Sequence, residues 1–186
     1  MSRVTSIEEL SNLKSKIETE RKFTKQVLIC GGTGCISSGS NEIADKMTEK
    51  VKAAGKENEI RVIKTGCFGF CEKGPIVKIL PDNTFYTEVT PEDAERLVDT
   101  HLLNNEKIEE LLYVDPVTKN KISDSDHMDF YKKQERVALR NCGVIDPENI
   151  EDYLLHDGYT ALNKVLKMSQ QEVVDIMKDS GLRGRG

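Results

Sequence analysis

The sequence predicts an α/β fold for residues 25–105, followed by the start of a second, mainly helical domain in residues 136–186. In the first region, short β-branched runs alternate with helical patterns, which is typical of a sheet covered by helices. The second region holds two or three helical patterns in about fifty residues, too few to bury a core of their own. We therefore expect the second domain to be incomplete.

The first predicted element is an amphipathic helix within residues 1–24. Ser6 and Glu9 form a capping box ahead of a narrow apolar stripe, which could dock a partner or pack within the chain. Six further elements follow in residues 25–105, in the order strand, helix, strand, strand, strand, helix: 26–30, 40–54, 59–65, 76–80, 85–89 and 90–102. Thr90 and Pro91 begin the last helix as its cap and its first residue.

Residues 106–135 are polar and rich in charge, with turn signals at Asp115-Pro116 and at 123–126. They predict a linker with one short helix near 108–112. This linker would connect the two domains and let the domain of residues 25–105 swing. Beyond it, Ser169 predicts the start of another helix.

The chain has 186 residues and a net charge of −5. This acidic balance, with a pI near 5.4, argues against a nucleic-acid-binding surface. No apolar run approaches the roughly 18 residues that a membrane span requires. The first residues carry no apolar leader, so the expected location is the cytoplasm.

Two cysteine pairs lie in glycine-rich turns directly after predicted strands. Cys30 and Cys35 form a C-x4-C pair, and Cys67 and Cys71 form a C-x3-C pair. Four thiolates on two tight loops are typical of an iron–sulfur site, and this spacing favours a [2Fe-2S] cluster. Because both pairs follow strands, the two loops can meet at one edge of a single sheet. The surrounding glycines would let backbone N–H groups approach the sulfurs.

Zinc is the main alternative metal for the four thiols. A zinc site would make the protein a non-redox interaction module. A thioredoxin-type dithiol is excluded because no C-x-x-C occurs. Cys142 has no partner at ligand spacing, so we expect a small buried apolar residue. The three histidines are expected at the surface or at helix ends: His101, His127 and His156.

Residues 25–105 resemble the thioredoxin-like [2Fe-2S] ferredoxins, in the motifs CGGTGC and TGCFGFC, a Gly-Pro turn and a TPEDAERLV helix. That family includes the small iron–sulfur subunit of respiratory NADH dehydrogenases. The resemblance implies that Cys30, Cys35, Cys67 and Cys71 ligate the cluster. It also implies that the Gly74-Pro75 turn, either cis or tight, shields it.

Residues 136–186 resemble the start of the flavin- and NADH-binding subunit of NADH dehydrogenases and NAD(P)-linked hydrogenases. The resemblance rests on the run 136–147, on Gly158-Tyr159-Thr160 and on the glycine-rich end of the chain. It implies that Gly184, Arg185 and Gly186 begin the loop that holds the FMN phosphate. The chain would then be the N-terminal part of a flavoprotein subunit that also binds NAD(P) and further iron–sulfur clusters.

Together these resemblances imply electron transfer through a [2Fe-2S] cluster within an NAD(P)H-linked oxidoreductase. The fusion of a ferredoxin domain to a flavin domain resembles soluble, multi-subunit, electron-bifurcating hydrogenases and formate dehydrogenases. The implied partners are an iron–sulfur catalytic subunit and a small ferredoxin-like subunit. A subunit of respiratory NADH dehydrogenase is the alternative. The fragment alone would lack the flavin and nucleotide sites.

Overall fold

The computed structural model describes residue 4 and residues 6–184, and the chain divides into two compact units. The larger unit is Arg21–Asn149. The smaller unit combines the described parts of Met1–Glu20 and Ile150–Gly186. Within the described residues, no helix is both long and apolar enough to cross a membrane.

A four-stranded sheet forms the centre of the larger unit. Its strands are β1 Lys25–Cys30, β2 Ile60–Thr65, β3 Val77–Leu80 and β4 Thr84–Tyr86. They lie in the order β2-β1-β3-β4, with β1 parallel to β2 and β3 antiparallel to both β1 and β4. This confirms the predicted α/β fold, although β4 ends three residues before the predicted strand does.

Helices and apolar side chains cover both faces of this sheet. The helices are α2 Thr33–Ser37, α3 Ser40–Ala53 and α4 Asp93–Leu97, which continues as a π-helical turn over Val98–Leu103. Alternate residues of β1 point to opposite faces, so Val27 belongs to the cluster under α3 and α4, whereas Leu28 belongs to the cluster on the other face. The second face packs against residues that lie beyond position 105.

The predicted linker at 106–135 is wrong, because these residues pack on the sheet. They form β5 Tyr113–Val114 and β6 Lys121–Ile122, two 3-10 turns at Glu109–Leu111 and Ser125–His127, and α5 Asp129–Lys132. Met128 is fully buried, and the Ile108 backbone N–H donates to the Tyr86 hydroxyl at 3.1 Å. Widely spaced apolar residues in a polar segment give no helical or strand period, so the sequence pattern did not reveal this packing.

The larger unit also continues past the predicted start of the second domain at 136. Thr65, at the end of β2, donates its hydroxyl hydrogen bond to the Ile145 carbonyl at 2.6 Å, in a buried position. The compact unit built on the four-stranded sheet therefore reaches Asn149 rather than ending at 105.

The smaller unit is helical, with α1 Ile7–Glu20, α6 Ile150–Leu155, α7 Thr160–Val165 and α8 Gln170–Asp179. Two of the three predicted caps are present: the Glu9 N–H donates to Ser6 Oγ at 3.1 Å, and Ser169 forms a capping box with Glu172. The third is wrong, because α4 begins at Asp93 rather than at Pro91, and the Thr90 N–H instead donates to the Asp93 side chain at 3.0 Å. Helices α1 and α6 are in contact, so the apolar stripe of α1 packs at least partly within its own chain. An open apolar groove of about 710 Å³ remains between α1, α6 and α7.

Candidate metal centre

The two cysteine loops leave the sheet at the same end. Strand β1 ends at Cys30, and its parallel neighbour β2 ends at Thr65, which is the register partner of Cys30. Cys67 follows two residues later. Parallel neighbouring strands place their following loops side by side, so the expected meeting of the two cysteine loops at one sheet edge is observed.

The first pair is buried. Cys30 and Cys35 are each 1% exposed. Cys35 lies within α2 rather than in a glycine-rich turn, which corrects the sequence prediction for this loop. The short helix turns the chain back toward β1, so the second thiol of the pair faces the first.

The second pair is closer to solvent. The Sγ atoms of Cys67 and Cys71 are 4.0 Å apart, with Cys67 half-buried and Cys71 exposed. The Gly69 N–H donates to Cys67 Sγ at 3.2 Å, and Gly69 has φ of +78°, a conformation that glycine adopts without strain. The expected N–H contacts to sulfur are therefore present at Gly69.

Two glycines, Gly32 and Gly74, lie against the thiol sulfurs, where a side chain would not fit. A Cβ atom at Gly32 would lie 3.0 Å from Cys67 Sγ and 3.5 Å from Cys30 Sγ, so thiols of both pairs flank this position. A Cβ at Gly74 would lie only 2.6 Å from Cys35 Sγ. The Gly74–Pro75 peptide that follows is cis, one of the two forms expected. Any side chain at either glycine would enter the space around the sulfurs.

The four thiols are arranged as two separate pairs. Among the described residues, no three His, Cys, Asp or Glu side chains converge tightly enough to hold one metal ion. The second pair is also too far apart for a disulfide, which needs about 2 Å between sulfurs, and all five cysteines are free. Two separate thiol pairs can each hold one iron of a [2Fe-2S] cluster.

Burial and neighbouring thiols disfavour ionisation of two of these cysteines. Burial, followed by the hydrogen bond and charge of Cys30, raises the pKa of Cys35 to about 12. The hydrogen bond with Cys67 is the largest cause that raises the pKa of Cys71. Ligands of a metal site must be deprotonated, so loading of this site is coupled to proton release.

Two residues depart from their sequence predictions. Cys142 is half-buried rather than in the core, and its Sγ lies 3.4 Å from where a Gly66 Cβ would be, just before the second cysteine loop. His101 lies in the last turn of its helix, which is one of the two expected settings, but it is 3% exposed rather than at the surface. Its Nδ1 lies 2.8 Å from the Tyr86 hydroxyl, and its Nε2 lies 3.2 Å from Asp82 Oδ2. These partners are distant in sequence, so no local motif revealed them.

The sequence analysis also missed Tyr131 and Arg136, which contact the second cysteine loop. The Tyr131 hydroxyl donates to the Phe68 carbonyl at 3.1 Å, and Arg136 Nη2 donates to the same oxygen. Both residues lie in the stretch interpreted as a linker and a domain start. No spacing signal connects them with the cysteines, because the contact depends on tertiary packing.

The predicted flavin-loop residues are largely outside the described part of the chain. Gly184 is exposed, and no heavy atom lies within 4 Å of where its Cβ would be. Arg185 and Gly186 lie outside the described residues. Their role in binding FMN stays a prediction.

Four thiols grouped at the carboxyl ends of two parallel strands define an iron–sulfur electron-transfer protein of the ferredoxin class. Comparison with known proteins gives the family. The sequence profile described as "Thioredoxin-like [2Fe-2S] ferredoxin" matches residues 3–102, and the chain belongs to this family. The family's cofactor is a [2Fe-2S] cluster.

Three relatives show what else the chain is similar to. It is 38% identical over 77 residues to "Ferredoxin, 2Fe-2S" of Clostridium pasteurianum, covering 41% of this chain and 76% of that one. It is 64% identical over 55 residues to "NADP-reducing hydrogenase subunit HndC" of Solidesulfovibrio fructosivorans, covering 30% of this chain. It is 52% identical over 46 residues to a subunit of the NADH-quinone oxidoreductase of Mycobacterium tuberculosis, covering 22% of this chain. The matches span only 11% of the hydrogenase protein and 10% of the quinone oxidoreductase protein.

Proposed function

We propose that Cys30, Cys35, Cys67 and Cys71 hold the [2Fe-2S] cluster, one pair to each iron. The observation that carries this proposal is the placement of both pairs at the same end of parallel strands β1 and β2. The bound cluster supplies one-electron chemistry. The protein contributes the position, the hydrogen bonds and the solvent access that set its potential.

The two pairs have different tasks in this proposal. The buried pair would hold the iron–sulfur group beside the apolar side chains around Leu28 and Phe85, which exclude water from that side. The outer pair, with Cys71 exposed, would leave one side of the group accessible to an electron-transfer partner. A short path through one exposed ligand suits a protein that exchanges electrons without making or breaking other bonds.

Replacement of each cysteine by serine tests the ligand set. We expect a red-brown protein with two irons per chain in the wild type, as the [2Fe-2S] assignment requires. Loss of most iron and visible absorbance is expected for Cys30→Ser and Cys67→Ser. Cys142→Ser is the matched control and should keep both. The proposal would be contradicted if the wild-type protein stays colourless after anaerobic reconstitution with iron and sulfide and binds zinc instead. Loss of the cluster in Cys142→Ser alone would contradict it as well.

For the parent protein, we propose a subunit of an NAD(P)-linked oxidoreductase that binds FMN and NAD(P), most specifically an electron-bifurcating hydrogenase or formate dehydrogenase. The high identity to the hydrogenase relative over 55 residues supports this. One chain carries both the ferredoxin unit and the sequence of residues 136–186, which supports this assignment further. A ferredoxin fused to a flavin domain keeps its cluster at high effective concentration near the flavin. Its partners would be an iron–sulfur catalytic subunit and a small ferredoxin-like subunit.

Two measurements test this broader proposal. The 186-residue chain should not oxidise NADH or NADPH with an artificial acceptor, even after FMN is added. Flavin-dependent turnover would show that the active site has been misplaced. Purification of the native complex should recover a hydrogenase or formate dehydrogenase subunit, and recovery of membrane-embedded quinone-reductase subunits would contradict it.

A further inference from the structure

One peptide group connects the second cysteine loop to a part of the chain outside the family match. It is the peptide between Phe68 and Gly69. Its N–H donates to Cys67 Sγ at 3.2 Å, and its carbonyl accepts hydrogen bonds from Tyr131 and Arg136. The family profile ends at residue 102, so both side-chain donors belong to the stretch 103–149 that follows it, which we call the added segment.

The two donors hold each other in place. The Arg136 guanidinium lies over the Tyr131 ring, with 5.1 Å between Cζ and the ring centroid. This is within the range of a cation–π contact. A Cβ at Gly69 would lie 3.1 Å from Arg136 Nη2, so the guanidinium closes directly over the peptide. Among the described residues, no carboxylate forms an ion pair with Arg136, so its charge acts on the peptide without a neutralising partner.

Hydrogen bonds at the two ends of a peptide group reinforce each other. Donors on the carbonyl oxygen draw electron density away from the amide nitrogen, which makes its N–H a stronger donor. Here the strengthened N–H points at a sulfur. A stronger hydrogen bond to a cluster ligand stabilises the more negative, reduced form, and the guanidinium charge acts in the same direction.

We propose that Arg136 and Tyr131 are positioning residues that raise the reduction potential of the cluster through the Phe68–Gly69 peptide. This inference rests on the proposed ligand role of Cys67. It goes beyond the family assignment, because the family match contains neither residue. The added segment then acts as a tuning element, so that the same ferredoxin loop works at a higher potential here than it would alone.

Redox titration of the full chain with its cluster tests the proposal. Arg136→Gln should shift the oxidised-to-reduced equilibrium about tenfold toward the oxidised form, equivalent to a midpoint lowered by about 59 mV for one electron. Tyr131→Phe should give a smaller shift in the same direction. Arg136→Lys, which keeps the charge, should recover part of the wild-type value. The hyperfine coupling of the Gly69 amide proton, measured by pulsed EPR, should weaken in Arg136→Gln.

Arg140→Gln is the matched control, because Arg140 lines the same cavity as Arg136 and its replacement removes the same charge. If Arg140→Gln shifts the midpoint as much as Arg136→Gln does, the shift reflects only the loss of a nearby positive charge, and the proposal is overturned. An unchanged midpoint in Tyr131→Phe would also overturn it. If Arg136→Gln fails to load iron, the midpoint of Tyr131→Phe tests the proposal instead, because this variant removes only the hydroxyl that donates to the Phe68 carbonyl. Iron content of the wild type and of Cys67→Ser separates failure of the ligand assignment from failure of this inference.

Discussion

Replacement of Tyr86 by phenylalanine removes one buried oxygen that joins the sheet to the added segment. Tyr86 has no exposed surface, and burial is the main cause that raises its pKa to about 12. The hydroxyl therefore keeps its proton, and it accepts from the Ile108 N–H at 3.1 Å. His101 Nε2 lies 3.2 Å from the Asp82 carboxylate oxygen, which can only accept, so Nε2 carries the proton of the neutral ring. Nδ1 is then the acceptor for the Tyr86 hydroxyl at 2.8 Å.

The cost of this substitution follows from the groups left without partners. Two hydrogen bonds are lost, and the Ile108 N–H and His101 Nδ1 remain buried. A buried polar group without a partner costs about 1–3 kcal/mol, and a typical hydrogen bond contributes about 1 kcal/mol. Since phenylalanine fills nearly the same volume, no large cavity adds to this. We expect Tyr86→Phe to lower the free energy of unfolding by about 2–3 kcal/mol.

Urea unfolding of the apo protein, followed by circular dichroism, measures the effect. The midpoint should fall while the slope stays constant, because the surface exposed on unfolding is unchanged. Tyr113→Phe is the control: Tyr113 is also buried, and among the described residues its hydroxyl has no hydrogen-bond partner. A loss below about 0.5 kcal/mol for Tyr86→Phe, or an equal loss in Tyr113→Phe, would refute the reasoning.

Three further outcomes are expected. Burial lowers the pKa of His101, so the stability that the neutral ring contributes is complete above its unfolded pKa of about 6.5 and is lost as pH falls through the lower folded value. Urea midpoints from pH 8 to 5 should fall in the wild type and less in His101→Gln. Gly74→Ala should abolish most iron binding, because its Cβ would lie 2.6 Å from a thiol sulfur, whereas Gly34→Ala has open space and should load normally, by iron assay. Met128→Ala should cost about 2–5 kcal/mol in urea unfolding, whereas the exposed Val117→Ala should change stability by less than about 0.5 kcal/mol; equal effects would contradict the packing of residues 106–135.

Local patterns predicted the sheet and the placement of the cysteine loops. Strands β1 and β2 are short apolar runs, and each cysteine pair follows one of them, so sequence order alone placed the four thiols at one sheet end. The capping residue Ser169 similarly predicted the start of α8. These features depend on neighbours within a few residues, where periodicity and capping carry the information.

The remaining features depend on contacts between distant residues. His101 is 19 residues from Asp82, and Arg136 is 68 residues from Phe68. A polar segment such as 106–135 predicts a linker because its few apolar residues have no period, yet Ile108, Leu112 and Met128 are all buried in the core. Which partners such residues find is decided by the assembled sheet and not by their own neighbours.

The added segment also covers the edge strand β4 of the sheet. Strand β4 is the outermost strand on its side, and all three of its residues are buried. On its outer side, the Phe85 N–H donates to the Ser123 carbonyl at 2.8 Å, and the Thr87 N–H donates to the Leu111 carbonyl at 2.9 Å. A protein shortened to residue 105 would expose these backbone groups on an apolar strand, which is a template for pairing with another copy. The added segment, which contacts the second cysteine loop, would thus also keep the ferredoxin unit from aggregating.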